Sequence, residues 1–203
     1  MRPPDPSSLR ERKKAEACAK VLSTAHHLFR RDSFDATTLQ TICDASGISK
    51  RTFFRYFLDK ESLVFPHREE RLAAFVAFLD ENRDMENPFD TFRLAAHLFG
   101  ANYNKNKDYL REQQAVILGS PALLAREREI DREWQRAIAT ALSLRSHKVP
   151  EDDHWARVSA GAIMGTVRAT MTYWFERDCR DDLAQLGVDA LSYLEGGFRH
   201  RAK

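Results

Sequence analysis

An all-α architecture of about nine helices is predicted by three features of the sequence. Apolar residues recur at spacings of three and four through almost every segment, and Asn, Ser, Asp and Pro mark the points where those segments begin. No stretch shows the apolar-polar alternation of a half-buried strand.

The elements follow in order. Residues 1–8, with three prolines and two serines, read as a disordered lead-in. From about Leu9 to Arg31, Cys18, Val21, Leu22, Ala25, Leu28 and Phe29 form one buried stripe, and Arg10, Arg12, Lys13 and Lys14 charge its first turns. That run is either a solvated face or a set of backbone-phosphate contacts. Thr37 with Gln40 fits a capping box for a short helix whose apolar face is Leu39, Ile42 and Cys43. Gly47 supplies the positive φ that ends this helix, and Ile48 plugs the joint. Ser49 then caps KRTFFRYF, where Phe53 and Phe57 share an inward face and Lys50, Arg51, Thr52 and Arg55 stay outside. Helix, tight turn and short basic helix together describe a helix-turn-helix sized for a DNA major groove.

Asp59 and Lys60 open a further helix with Leu72, Phe75, Val76 and Leu79 as its buried stripe, and Pro66 predicts a kink or break near Phe65. Asn87 and Pro88 start a helix to about Tyr103, NKNKD is a loop, and a helix follows from Asp108 to Leu118. Ser120 and Pro121 start a long amphipathic helix with Leu123, Ile130, Trp134, Ala137, Ile138 and Ala141 on one side. Pro150, Glu151 and Asp152 introduce a helix to about Arg177, and Asp181 and Asp182 the last, to about Arg199. Gly161, Gly165 and Ala169 leave a small-residue stripe that serves either packing within the chain or a dimer. Tyr173, Trp174, Leu186, Leu191, Tyr193 and Leu194 exceed what one thin layer needs, which favours a two-fold four-helix interface through the last two helices.

Charge is divided unevenly. Residues 1–60 carry 12 Lys and Arg against 7 Asp and Glu, which leaves 20 against 23 in the remainder. A basic head on an acidic body suits phosphate binding. Three cysteines without a CxxC spacing make neither a disulfide framework nor a zinc site, and adjacent His26 and His27 cannot share a helix face. No metal or cofactor is expected. No signal peptide precedes the first helix, and the most apolar stretch, 159–167, is too short to span a bilayer, so a soluble cytoplasmic protein without membrane contact is expected. There is no GxSxG, HExxH or GxGxxG to support an enzyme. A helical adaptor using the same motif against protein is the rival class, and the basic outer face speaks against it.

The stretch LFRRDSFDATTLQTICDASGISKRTFFRYFLDKESLV resembles the N-terminal domain of the tetracycline-repressor (TetR) family, most specifically through RTFFRYF and the following DKE. SPALLAREREIDREWQRAIATAL and GAIMGTVRATMTYWFE resemble a subgroup, frequent in actinobacteria, whose body binds acyl-CoA-like ligands. The resemblance implies a helix-turn-helix DNA-binding domain at 9–60 and a helical ligand-binding and dimerisation domain at 61–203. It implies a homodimeric one-component regulator, usually a repressor, released from double-stranded operator DNA by an acyl-CoA-like molecule or another apolar anion. An activator of the same fold stays open. By position, Lys50 and Arg51 are the base-reading residues, while Thr38, Ser49, Thr52, Arg55, Tyr56 and Lys60 complete the DNA surface. Ligand-pocket candidates on the body helices are His97, Tyr103, Gln113, Trp134, Met164, Arg168, Met171 and Trp174. Arg168 needs an anionic partner, either from the ligand or from Glu133 or Asp131. Phe54 stands where the family often has a phosphate-binding tyrosine, Ser33 where a glycine usually ends the first helix, and Cys43 for the usual alanine.

Overall fold

The computed structural model describes residues 6–197, and all regular structure among them is helical. The helices are α1 (Pro6–Asp32), α2 (Leu39–Ser46), α3 (Lys50–Phe54), α4 (Arg68–Glu81), α5 (Pro88–Lys105), α6 (Lys107–Leu118), α7 (Pro121–Arg145), α8 (His154–Glu176) and α9 (Leu183–Glu195), with a 3-10 turn at Glu61–Leu63. The expected lead-in at 1–8 is helical from Pro6 onward, and its first five residues lie outside the described residues. So does the end of the last helix expected near Arg199; α9 closes at Glu195.

The chain divides into two compact units. Among the described residues, one holds 6–67 together with Glu112–Arg126, and the other holds Arg68–Arg111 and 127–197. The expected division was 9–60 and 61–203. The Pro66 break explains one boundary: the helix expected to run from Asp59 stops as a 3-10 turn and restarts at Arg68. The other boundaries fall inside α6 and α7.

In the first unit, Val21, Ala25, Leu28 and Phe29 of α1 are buried, as are Phe34, Ile42, Cys43 and Phe53. Phe29 and Phe34 meet at 5.0 Å. Burial raises the Cys43 thiol pKa, in keeping with a small core residue in place of alanine. The capping box differs from expectation by one residue. Thr38 is the N-cap and accepts from the Thr41 amide, while the buried Thr37 hydroxyl donates to the Ser33 carbonyl at 2.7 Å. Gln40 donates instead to Asp44.

Ser33 itself ends α1 with φ of 73°. A non-glycine residue there costs about 1–2 kcal/mol, partly recovered here because Ser33 Oγ accepts from the Ala36 amide at 3.3 Å. Ser33→Gly is expected to raise stability by about 0.5–1 kcal/mol, read as a higher urea midpoint at unchanged slope.

In the second unit, α5 and α9 pack at their closest where Gly100 faces the Ala184 backbone and Gly187 faces Ala96. One core gathers Phe75, Leu79, Phe92, Ile138, Ile163 and Leu191 with their small neighbours, and another centres on Trp174, Cys179 and Leu183. Asn87 caps α5 and Asp182 caps α9 as expected, whereas α8 is capped by Asp153, one residue beyond the expected acidic cluster. Arg145, in the last turn of α7, donates to the carbonyls of Arg83, Met85 and Glu86 and so holds the chain between α4 and α5.

Candidate functional site

The first unit builds its outward face from the turn between α2 and α3. Gly47 adopts φ of 72°, the Ile48 amide donates to the Cys43 carbonyl at 3.0 Å and the Gly47 amide to Asp44 at 3.2 Å. This is the Schellman pattern, which ends α2 abruptly and redirects the chain. Ser49 Oγ accepts from the Thr52 amide at 3.1 Å and is hydrogen-bonded to the Thr52 hydroxyl at 3.0 Å, so the start of α3 is fixed by its own sequence. Phe53 is fully buried beneath it and packs against Phe57 at 5.2 Å. α3 is shorter than the expected KRTFFRYF, ending at Phe54 and continuing as a turn.

With Phe53 inward, Lys50, Arg51 and Phe54 are exposed together. Among the described residues, Lys50 and Arg51 have no hydrogen-bond or ion-pair partner, so both cations are available to a ligand. Arg55 donates to the Tyr56 hydroxyl at 2.7 Å and lies over its ring, pairing two residues of the expected DNA surface with each other. Lys60 is also engaged within the unit. Its ammonium donates to the carbonyls of Phe34 and Thr37 at 2.9 and 3.0 Å and rests 3.9 Å from the Phe34 ring, so it ties the α1–α2 turn to the chain after α3. Thr38 is exposed at the tip of α2, where its hydroxyl also meets that of Thr41.

The ligand candidates lie apart. Gln113 belongs to the first unit, where its amide donates to the Val64 carbonyl. The other seven belong to the second. His97 is exposed. Trp134 stacks on Phe75 at 4.7 Å and joins the core that contains Met164. Trp174 is fully buried, with Tyr103 and Met171 packed around its cluster, and its Nε1 donates to the Asp181 carbonyl at 2.9 Å. Arg168 is half-exposed and paired with Asp131, one of the two internal partners foreseen. Burial still raises the Asp131 pKa despite that arginine, and burial together with Asp131 raises that of Glu127, one helical turn earlier.

A different place in the second unit is open. α4 and α7 leave a groove of about 730 Å³, within the range of small-molecule sites. Leu72, Val76, Ala77, Ala137, Ala141 and Leu144 give it apolar walls, and Glu69, Asp80 and Arg83 its polar edge, with Arg83 paired to Asp80. Leu72 and Val76 were expected in a buried stripe; they line this groove instead, and Val76 is 46% exposed. The signal lay in Ala73 and Ala77, which extend the apolar surface of α4 beyond a single stripe. Among the described residues no cluster of His, Cys, Asp or Glu could hold a metal, and no helix is long and apolar enough to cross a membrane.

Comparison with known proteins agrees with this arrangement. Residues 21–65 match the family model of bacterial regulatory proteins of the tetR family, and residues 86–199 match that of the MftR C-terminal domain. The transcriptional regulator TcmR of Streptomyces glaucescens is 25% identical over 201 residues, covering 95% of this chain and 87% of TcmR. MftR of Mycobacterium tuberculosis, named for regulation of mycofactocin biosynthesis, is 25% identical over 159 residues, covering 75% of this chain and 80% of MftR. Among solved structures, FadR of Bacillus subtilis in complex with stearoyl-CoA has a TM-score of 0.61 at 18% identity, covering 88% of this chain and 98% of FadR. A TetR-family regulator of Syntrophomonas wolfei has a TM-score of 0.68 at 15% identity, covering 94% of this chain and all of that one. At these identities the structural likeness is one of fold. The two family matches carry the assignment: the chain belongs to the TetR family of bacterial regulatory proteins, as a transcriptional regulator and not an enzyme.

Proposed function

We propose that the protein is a one-component repressor that holds operator DNA as a homodimer and releases it when an apolar small molecule occupies the second unit. The observation that carries this reading is the outer face of α3, where unpartnered Lys50 and Arg51 stand on a helix whose start, turn and buried anchor are all fixed. Arginine suits the O6 and N7 edge of guanine, and lysine suits either that edge or a phosphate. Ser49, Thr52, Thr38 and the Arg55–Tyr56 pair supply backbone contacts around them, with Lys60 contributing its remaining N–H.

For the effector, the α4–α7 groove is the place the geometry favours. Its walls suit an acyl chain or another apolar body, in keeping with the stearoyl-CoA held by the B. subtilis regulator. Its edge carries two carboxylates and one paired arginine, so an anionic head group has its partner elsewhere, with Arg168 the cation the sequence singles out. The groove lies partly on α7, the same helix whose first residues belong to the DNA-reading unit. A ligand that binds better to one arrangement of α7 would shift the protein towards it.

For the dimer, α8 offers a continuous exposed face of Trp155, Val158, Ala162, Gly165, Ala169 and Tyr173, and α9 adds Tyr193 at 64% exposure. Spacings of three and four keep the α8 residues on one side. Trp174 and Leu191, counted towards this surface from sequence, are instead buried within the chain. A two-fold pair would set its reading helices roughly 34–36 Å apart, or a multiple of that.

A gel-shift titration against DNA from the protein's own upstream region, at several salt concentrations and with acyl-CoA or free fatty acid added, tests these parts separately. A repressor of this kind forms a specific, salt-sensitive complex that the acyl compound dissolves. Binding unaffected by either compound would keep the regulator and reject the ligand class. A protein adaptor would show no specific DNA complex even after random-site selection, and reporter assays separate repression from activation. Arg51→Ala is expected to lose about 1–3 kcal/mol of discrimination between operator and unrelated DNA while non-specific affinity largely persists. Equal weakening on all DNA would make Arg51 a phosphate contact.

A further inference from the structure

We infer that Phe54 is a base-reading residue that recognises thymine through its 5-methyl group. The inference rests on the DNA-reading role proposed for α3 and adds a sequence preference to it. The side chain is 57% exposed, beside Lys50 and Arg51 on the outer side of a helix only five residues long. Phe53, fully buried one residue earlier, meets the Phe54 ring edge-on at 5.4 Å with planes 89° apart. The exposed ring is therefore braced by the core and not free to fold back onto the unit.

An exposed phenylalanine between two cations is poorly matched to a phosphate surface. It has no donor or acceptor, so it cannot make the contact a tyrosine would make at this position. Its place among Lys50 and Arg51 puts it against DNA whenever they touch DNA, and there it needs an apolar counterpart. On the base edges of the major groove, that counterpart is the thymine methyl group. The flanking cations and the ring then divide the work: Lys50 and Arg51 take acceptor edges or phosphates, and Phe54 takes thymine.

The test begins with random-site selection on the full-length protein, followed by replacement of each thymine in the enriched duplex by deoxyuridine, which removes only the methyl group. Wild-type affinity is expected to fall roughly three- to fivefold at one thymine in each half-site, the loss corresponding to one buried methyl. Phe54→Ala should lose the discrimination, binding the thymine and deoxyuridine duplexes equally. Phe54→Tyr, which keeps the ring, should retain the difference. Deoxyuridine without effect at every position, or an effect that survives in Phe54→Ala, would overturn the assignment while leaving DNA reading intact. Failure to enrich any duplex would count against the DNA-reading role itself.

Discussion

Trp174→Ala is expected to lower unfolding free energy by about 3–5 kcal/mol, the usual cost of emptying a buried aromatic site. The indole is fully buried in α8, packed with Cys179 and Leu183 and enclosed by Tyr103, Met171 and Phe175. Its Nε1–H also satisfies the Asp181 carbonyl at 2.9 Å, just before α9 begins, and truncation leaves that carbonyl without its partner. A domain with about 5–15 kcal/mol in total would lose a large share of it. Trp174→Phe refills much of the volume and should cost distinctly less, with the remaining loss assignable to the hydrogen bond and the unfilled remainder. Urea melts of the three proteins check the ranking. The same residue was a ligand-pocket candidate from sequence. Were it a pocket wall, Trp174→Phe would alter effector affinity with little change in stability.

The helix-turn-helix was legible because local chemistry determines it. Gly47 and Ser49 act on amides within four residues of themselves, so their roles can be read without knowing what surrounds them. The one-residue error in the α2 cap has the same character. Thr37 and Thr38 are chemically equal, and only the Ser33 turn, which draws Thr37 inward, decides between them. Lys60 was less legible. A lysine at the end of a basic motif reads as a phosphate contact, but its ammonium reaches carbonyls more than twenty residues back in the chain. For the body, periodicity located the apolar side of each helix but not its neighbour. Trp134, Met164 and Trp174 could each face a core or a cavity on sequence grounds, and the fold puts them in cores. The groove was hidden for the converse reason, since Leu72 and Val76 look like core when no missing neighbour can be seen.

Glycines show the same difficulty and yield the second large effect. Sequence singled out Gly161 and Gly165 as the close-packing pair, yet a Cβ at Gly165 would meet nothing within 4 Å and one at Gly161 only the end of Gln135 at 3.4 Å. The tight place is Gly100. A Cβ there would lie 2.5 Å from Ala184 Cα and 2.7 Å from its nitrogen, both backbone atoms that no rotamer change can move. Gly100→Ala must therefore push α5 from α9, straining the Arg93–Glu195 pair and the Asn104 bonds to Asp182 and to the Leu183 amide. Overpacking of this kind costs about 1–3 kcal/mol and sometimes more, against roughly 1 kcal/mol regained in helix propensity. Backbone contact places Gly100→Ala at the upper end, and a net loss of about 2 kcal/mol or more is expected in urea melts. Gly165→Ala provides the contrast. Within the chain it gains the propensity term alone, so unfolding at low protein concentration should become harder by up to about 1 kcal/mol. If the α8 face packs closely on its own copy, the same methyl group weakens dimerisation, and sedimentation will show dissociation at concentrations where the wild type stays paired. A variant more stable as a chain and weaker as a dimer would separate the two roles open to the small-residue stripe of α8. One that stays paired would leave Trp155, Val158 and Tyr173 to form the contact without close approach at the glycine.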